Sequence, residues 1–126
     1  LKSLGSLIIP AVSFVRLADQ LFTTFKEEIP MIQEIASILV TAGHEAQFEA
    51  GVAQAKALFL RAKGCHGMAL HRSIENPQQY TLVVDWETVE NHMVDFRESE
   101  DFQEWRKLVG PHFAQPPQVH HEAKVL

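Results

Sequence analysis

The chain has 126 residues, 46% of them apolar and 21% charged, and its 11 basic against 16 acidic side chains leave a formal net charge of −5. These values describe one globular domain large enough to bury a core without staples, and they exclude electrostatic capture of nucleic acid, which needs a basic tract. The single cysteine, Cys65, excludes an intrachain disulfide framework and argues against a disulfide-rich secreted domain, without itself fixing the compartment; a cytoplasmic protein is the expectation.

The opening apolar run, Leu4 to Val15, falls short of the ~20 residues that cross a bilayer. It also lacks a signal-peptide ending, because no small-x-small site closes it and Arg16 and Asp19 follow. From Phe14 the apolar positions Leu17, Leu21, Phe22, Phe25 and Ile29 recur at helical spacing between Pro10 and Pro30, which predicts an amphipathic helix over residues 11–29. Its polar face mixes Arg16, Asp19, Lys26, Glu27 and Glu28 and is not the cationic face of a membrane-surface helix. Residues 1–30 therefore read as an extension added to a domain spanning residues 31–126, and no membrane partner is expected.

Residues 32–41 mix alternation with a continuous apolar centre, as a strand buried on both faces does. Ala42-Gly43 turns the chain into a helix over 44–62, whose inward stripe is Phe48, Val52, Ala55 and Phe59 and which Lys63-Gly64 ends. Strands over 65–74 and 79–87 follow, joined by the turn Glu75-Asn76-Pro77-Gln78. In the later strand Tyr80, Leu82, Val84 and Trp86 share one face. Thr88 caps a short helix carrying Val89, Met93 and Phe96, and Ser99 caps another carrying Phe102, Trp105, Leu108 and Val109. After Pro116-Pro117 the stretch 118–125 alternates as a last strand, with Val119, His121, Ala123 and Val125 on one face.

The order βαββαβ predicts an α+β fold, a ferredoxin-like antiparallel sheet with its helices on one face. The apolar look of the first and third strands predicts that a second copy of the chain covers the other face.

Lys63-Gly64-Cys65-His66-Gly67 opening a strand, Val83-Val84-Asp85-Trp86-Glu87-Thr88 leading into a helix, and Phe96-Arg97-Glu98-Ser99 followed by Phe102 and Trp105 resemble the antibiotic biosynthesis monooxygenase (ABM) domains. The likeness covers about residues 32–125, and the Gly-Cys-His-Gly strand start is similar to that of the bacterial quinol monooxygenases of this group. The resemblance implies a homodimeric α+β barrel in which each protomer keeps a pocket between sheet and helices. It implies several chemistries, because relatives include monooxygenases that act without a cofactor on quinols or polycyclic phenols as well as haem-degrading enzymes. Many relatives carry a histidine where this chain has Phe96, so no relative's catalytic scheme transfers whole.

Oxygenation without a cofactor needs an electron-rich phenol or quinol, a group that favours its anion, and a dry apolar pocket. Histidine is suited to the proton transfer. His92, one turn before Phe96, and His71, on a strand face with Gly67 and Ala69, are the candidate proton-transfer residues, and Trp86 joins them from the end of its strand. Phe96, Arg97, Phe102, Trp105 and His66 are the candidate substrate-binding residues. His66 and His71 stand five apart on one strand and His120-His121 are strand neighbours, so neither pair makes a zinc site and no metal is expected. No dinucleotide or phosphate loop occurs, and no cofactor is expected, with haem ranked second. The expected function is a cofactor-independent monooxygenase acting on a small aromatic quinol or phenol. The alternatives are a non-catalytic binding or assembly module of the same fold and a haem-binding relative.

Overall fold

A computed structural model describes residues 31–126. The helix expected over residues 11–29, like the whole of the 1–30 extension, lies outside the described residues. Met31–Leu126 form one compact unit.

Strand β1, Ile32–Leu39, alternates strictly: Glu34, Ala36 and Ile38 are buried while Gln33 and Ser37 are exposed. Gly43, at φ 90°, turns the chain into helix α1, Glu45–Leu60, which buries Phe48, Gly51, Val52, Ala55 and Phe59. Gly64, at φ 78°, turns the chain out of this helix in a conformation that side chains with a Cβ rarely adopt. Strand β2, Cys65–Arg72, begins with a bulge between Cys65 and Gly67. Strand β3, Gln79–Trp86, buries Tyr80, Leu82, Val84 and Trp86 at every second position, as its alternation predicts.

The short helix after β3 departs from expectation. Thr88 and Asn91 cap it reciprocally: Thr88 Oγ1 accepts from the Asn91 backbone N–H at 3.1 Å, and Asn91 Oδ1 accepts from the Thr88 backbone N–H at 3.1 Å. Asn91–Phe96 then run as a π-helical turn, closed by the Arg97 N–H donating to the His92 carbonyl five residues back at 3.1 Å. Helix α2, Glu100–Val109, starts where expected, with Ser99 Oγ accepting from the Phe102 N–H at 3.2 Å. A 3-10 turn, Gly110–His112, and strand β4, Gln118–Ala123, complete the unit.

The sheet is antiparallel throughout, in the order β2-β3-β1-β4, which is the ferredoxin-like arrangement expected from the element order. The core lies between one sheet face and the helices. There Phe59 sits with its ring centre 4.7 Å from that of Phe96 and 4.9 Å from that of Trp105. The opposite face is less apolar than the sequence suggested. It carries one apolar row, Ile35, Val83 and Ala69, flanked by the polar rows Ser37, Thr81, His71 and Gln33, Asp85, Gly67. The expectation of a strand buried on both faces therefore does not describe β1 within a single chain, because its odd positions stay half-buried or exposed.

Candidate active site

Between the sheet and the helices lies a cavity of about 480 Å³. Its floor is the inward face of β1 and β3, through Ala36, Ile38 and Leu82, and its apolar walls come from Met93, Phe102, Trp105, Phe113 and Val119. One end is polar, formed by Glu34, His92 and His121. The register explains the meeting. Glu34 faces His121 across the β1–β4 pair, so strand alternation points both to the helix side, and the π turn lays His92 over them.

Glu34 is the most unusual group there. It is 5% exposed, and its Oε1 accepts the Trp86 indole N–H at 3.0 Å. His92 Nε2 lies 3.2 Å from the same oxygen. Among the described residues Glu34 Oε2 has no hydrogen-bond partner, and the carboxyl lines the cavity. Burial outweighs the Trp86 hydrogen bond and pushes the carboxyl up from 4.5 to about 7. His92, also 5% exposed, is pushed the other way, from 6.5 to about 4, first by burial and then by the charges of His121 and Arg97. Both shifts favour an uncharged pair, so at neutral pH His92 is a neutral imidazole and Glu34 stands near half-ionised. His92 Nδ1 and His121 Nε2 share a hydrogen bond of 2.8 Å, and the His92 ring stacks on Trp86 at 5.5 Å between centres.

The cavity brings together four of the residues that the sequence singled out: His92, Arg97, Phe102 and Trp105. Trp86 is fully buried behind Glu34 and orients it, and Phe96 is a core residue packed against Trp86, Phe59 and Phe102. His71 sits elsewhere. It pairs with Thr81 on the sheet face opposite the cavity, so the sheet itself separates its ring from the Glu34 carboxyl. His66 occupies the β2 bulge, exposed, with its Nε2 3.7 Å from Glu87. The sequence reading missed Glu34 and set His121 aside after weighing it only as a metal ligand. The signal for Glu34 was present as a lone carboxylate in phase with Ala36 and Ile38, on the inward side of an alternating strand.

Among the described residues no helix is long and apolar enough to cross a membrane, and no three His, Cys, Asp or Glu side chains are grouped to hold a metal ion.

This architecture has known counterparts. The family model described as antibiotic biosynthesis monooxygenase matches residues 31–108. The uncharacterized protein YczJ of Bacillus subtilis (strain 168) is 34% identical over 91 residues, which is 72% of this chain and 96% of that protein. A crystal structure of a candidate antibiotic biosynthesis monooxygenase from Bordetella bronchiseptica is 80% identical, covers 77% of this chain and 99% of its own, and superposes with a TM-score of 0.76. A counterpart described in the same way from Nitrosomonas europaea shares the fold at 17% identity, with a TM-score of 0.68 over 75% of this chain and 90% of its own. The family-model match over residues 31–108, together with the 80% identical counterpart that superposes on the described domain, shows that the chain belongs to the antibiotic biosynthesis monooxygenase family.

Proposed function

We propose that the protein is a cofactor-independent monooxygenase that converts a phenol to a quinone, or a quinol to a hydroxyquinone, with Glu34 as the proton acceptor. The observation that carries this reading is a buried carboxyl poised near neutrality at one end of a cavity whose floor and walls are apolar between its polar ends. A base whose proton affinity matches the working pH is the efficient one. The phenol proton passes to Glu34, and the phenolate gives one electron to dioxygen. Recombination of the radical with superoxide forms a carbon–oxygen bond as a peroxide. The O–O bond then breaks, the proton held by Glu34 and the proton from the ring carbon leave with the departing oxygen as water, and the ring keeps the other oxygen as the quinone carbonyl. One dioxygen is consumed and one water released for each phenol, with no outside reductant. The apolar walls keep water away from the reduced oxygen species.

The cofactor-free reading is favoured over haem. An axial ligand needs an accessible imidazole nitrogen, and at His92 Nδ1 pairs with His121 Nε2 while Nε2 lies 3.2 Å from the buried Glu34 carboxyl. Titration with haem is expected to give no Soret band. A half-buried, unpaired Cys65 suits a reducing cytoplasm. Two copies are expected to close their open sheet faces against each other around the Ile35, Val83 and Ala69 row.

Oxygen uptake with a panel of quinols and naphthols tests the assignment. Uptake should rise with pH through about 7 as Glu34 ionises, and Glu34→Gln should lower it by ~10²-fold or more. Uptake that is unchanged in that variant removes Glu34 as the base, and ligand binding without uptake on any substrate favours a binding module.

A further inference from the structure

The cavity also carries two charged groups that removing a phenolic proton does not require. Arg97 leaves the π turn and Arg106 follows Trp105 on α2, and both line the cavity. Among the described residues neither guanidinium has a carboxylate within ion-pair distance, whereas Arg61 is held by Asp101 and Arg72 by Glu49. A chain of net charge −5 thus places two solvent-exposed guanidiniums without a carboxylate partner on the lining of one cavity. They stand towards different ends. Arg97 is close enough to His92 for its charge to act on that imidazole. Arg106 groups with Phe113 and Pro117, and these belong to the other end, because Phe113 follows the 3-10 turn to bridge Val40, and Pro117 precedes the β4 residue that faces Ser37. Glu34 to Ile38 along the floor is about 13 Å at ~3.3 Å per residue.

We propose that the ligand is an elongated aromatic acid, a hydroxylated aryl carboxylate of two or three fused rings, lying along β1 with its hydroxyl at Glu34 and its carboxylate on Arg106. The orientation rests on the reading of Glu34 as proton acceptor; the preference for an anion does not. The planar guanidinium fork of Arg106 matches a carboxylate. Arg97, at the hydroxyl end, faces the charge that develops on the phenolate. Leu82, Phe102 and Trp105 enclose the rings between the two ends.

Isothermal titration of the full chain with a hydroxynaphthoic acid, its methyl ester and naphthol tests this inference. The acid should bind about tenfold more tightly than ester or naphthol at low salt, and the advantage should shrink at high salt. Arg106→Gln, a change on an exposed side chain, should abolish the advantage, bringing the affinities for acid, ester and naphthol to within about twofold of one another. Equal affinities, no binding of the acid, or an advantage that survives Arg106→Gln overturns the proposal. Oxygen uptake is recorded in parallel. A preferred acid with no uptake leaves this inference standing and removes the oxygenase reading, and uptake on naphthol without preference for the acid does the reverse.

Discussion

At the scale of single residues the site is built by placing a carboxyl and an imidazole where neither keeps its charge easily. The pH dependence of stability follows the difference in protons bound by the unfolded and folded chains. From about 4.5 to 6.5 the folded chain holds Glu34 protonated and His92 neutral, while the unfolded chain holds the first ionised and the second protonated. The two states bind the same number of protons at this pair, so it contributes no slope over that window. In Glu34→Gln only His92 remains, and the unfolded state then binds the extra proton. Stability should rise with pH from about 4 to 6.5 at up to ~1.4 kcal/mol per pH unit. His92→Asn leaves Glu34 alone and should reverse the sign, with stability falling as pH rises from 4.5 through about 7. Urea unfolding across this range reads both slopes, and a wild-type slope as steep as that of Glu34→Gln would show that the pair is not neutral in the fold. Much of this was present in the sequence and misread. Glu34 stands next to Gln33 ahead of a continuous apolar centre, and only strict alternation puts it inside. His121 shares a face with Val119 and Ala123 in the sequence pattern, but nothing in that pattern says which side of the sheet this is or that it meets Glu34 there.

At the scale of elements the caps and alternations were legible because they are local. Ser99, Gly64 and the β3 alternation all stand where sequence rules put them. Ser99→Ala should cost ~1 kcal/mol in urea unfolding. Packing between elements is less legible, and Gly51 shows why. It lies mid-helix, where glycine is a poor helix former, yet a Cβ there would stand 2.8 Å from the backbone oxygen of Leu108. Gly51→Ala should therefore lower stability by roughly 1–3 kcal/mol despite its better propensity, and an equal or higher melting temperature would show that α1 and α2 separate freely. The π turn escaped the sequence reading altogether, because helical spacing was scored at the ordinary period. In an α-helix a residue five places on lies about 140° around the axis, so His92 and Arg97 would not share a side. The wide turn brings both to the cavity.

At the scale of the whole molecule, the element order alone was enough to give the sheet topology, since βαββαβ leaves few arrangements once crossovers are right-handed. The character of the uncovered face was harder to read. Single-strand patterns suggested an apolar surface, whereas the register sets Ile35, Val83 and Ala69 in one row between polar ones. A homodimer closed on that row predicts that Val83→Asp, which puts a charge opposite Ile35 and Ala69, yields monomers in sedimentation velocity while keeping the far-ultraviolet spectrum. Dimers undiminished in that variant would place the contact elsewhere.

The reciprocal cap at Thr88 and Asn91 anchors one end of the turn, and the Ser99 cap anchors the other. The number of residues between them is therefore itself a specification. Excising one exposed position such as Val94 would let the backbone relax into an ordinary helix. The result would be a more regular chain whose imidazole and guanidinium no longer look into the same chamber.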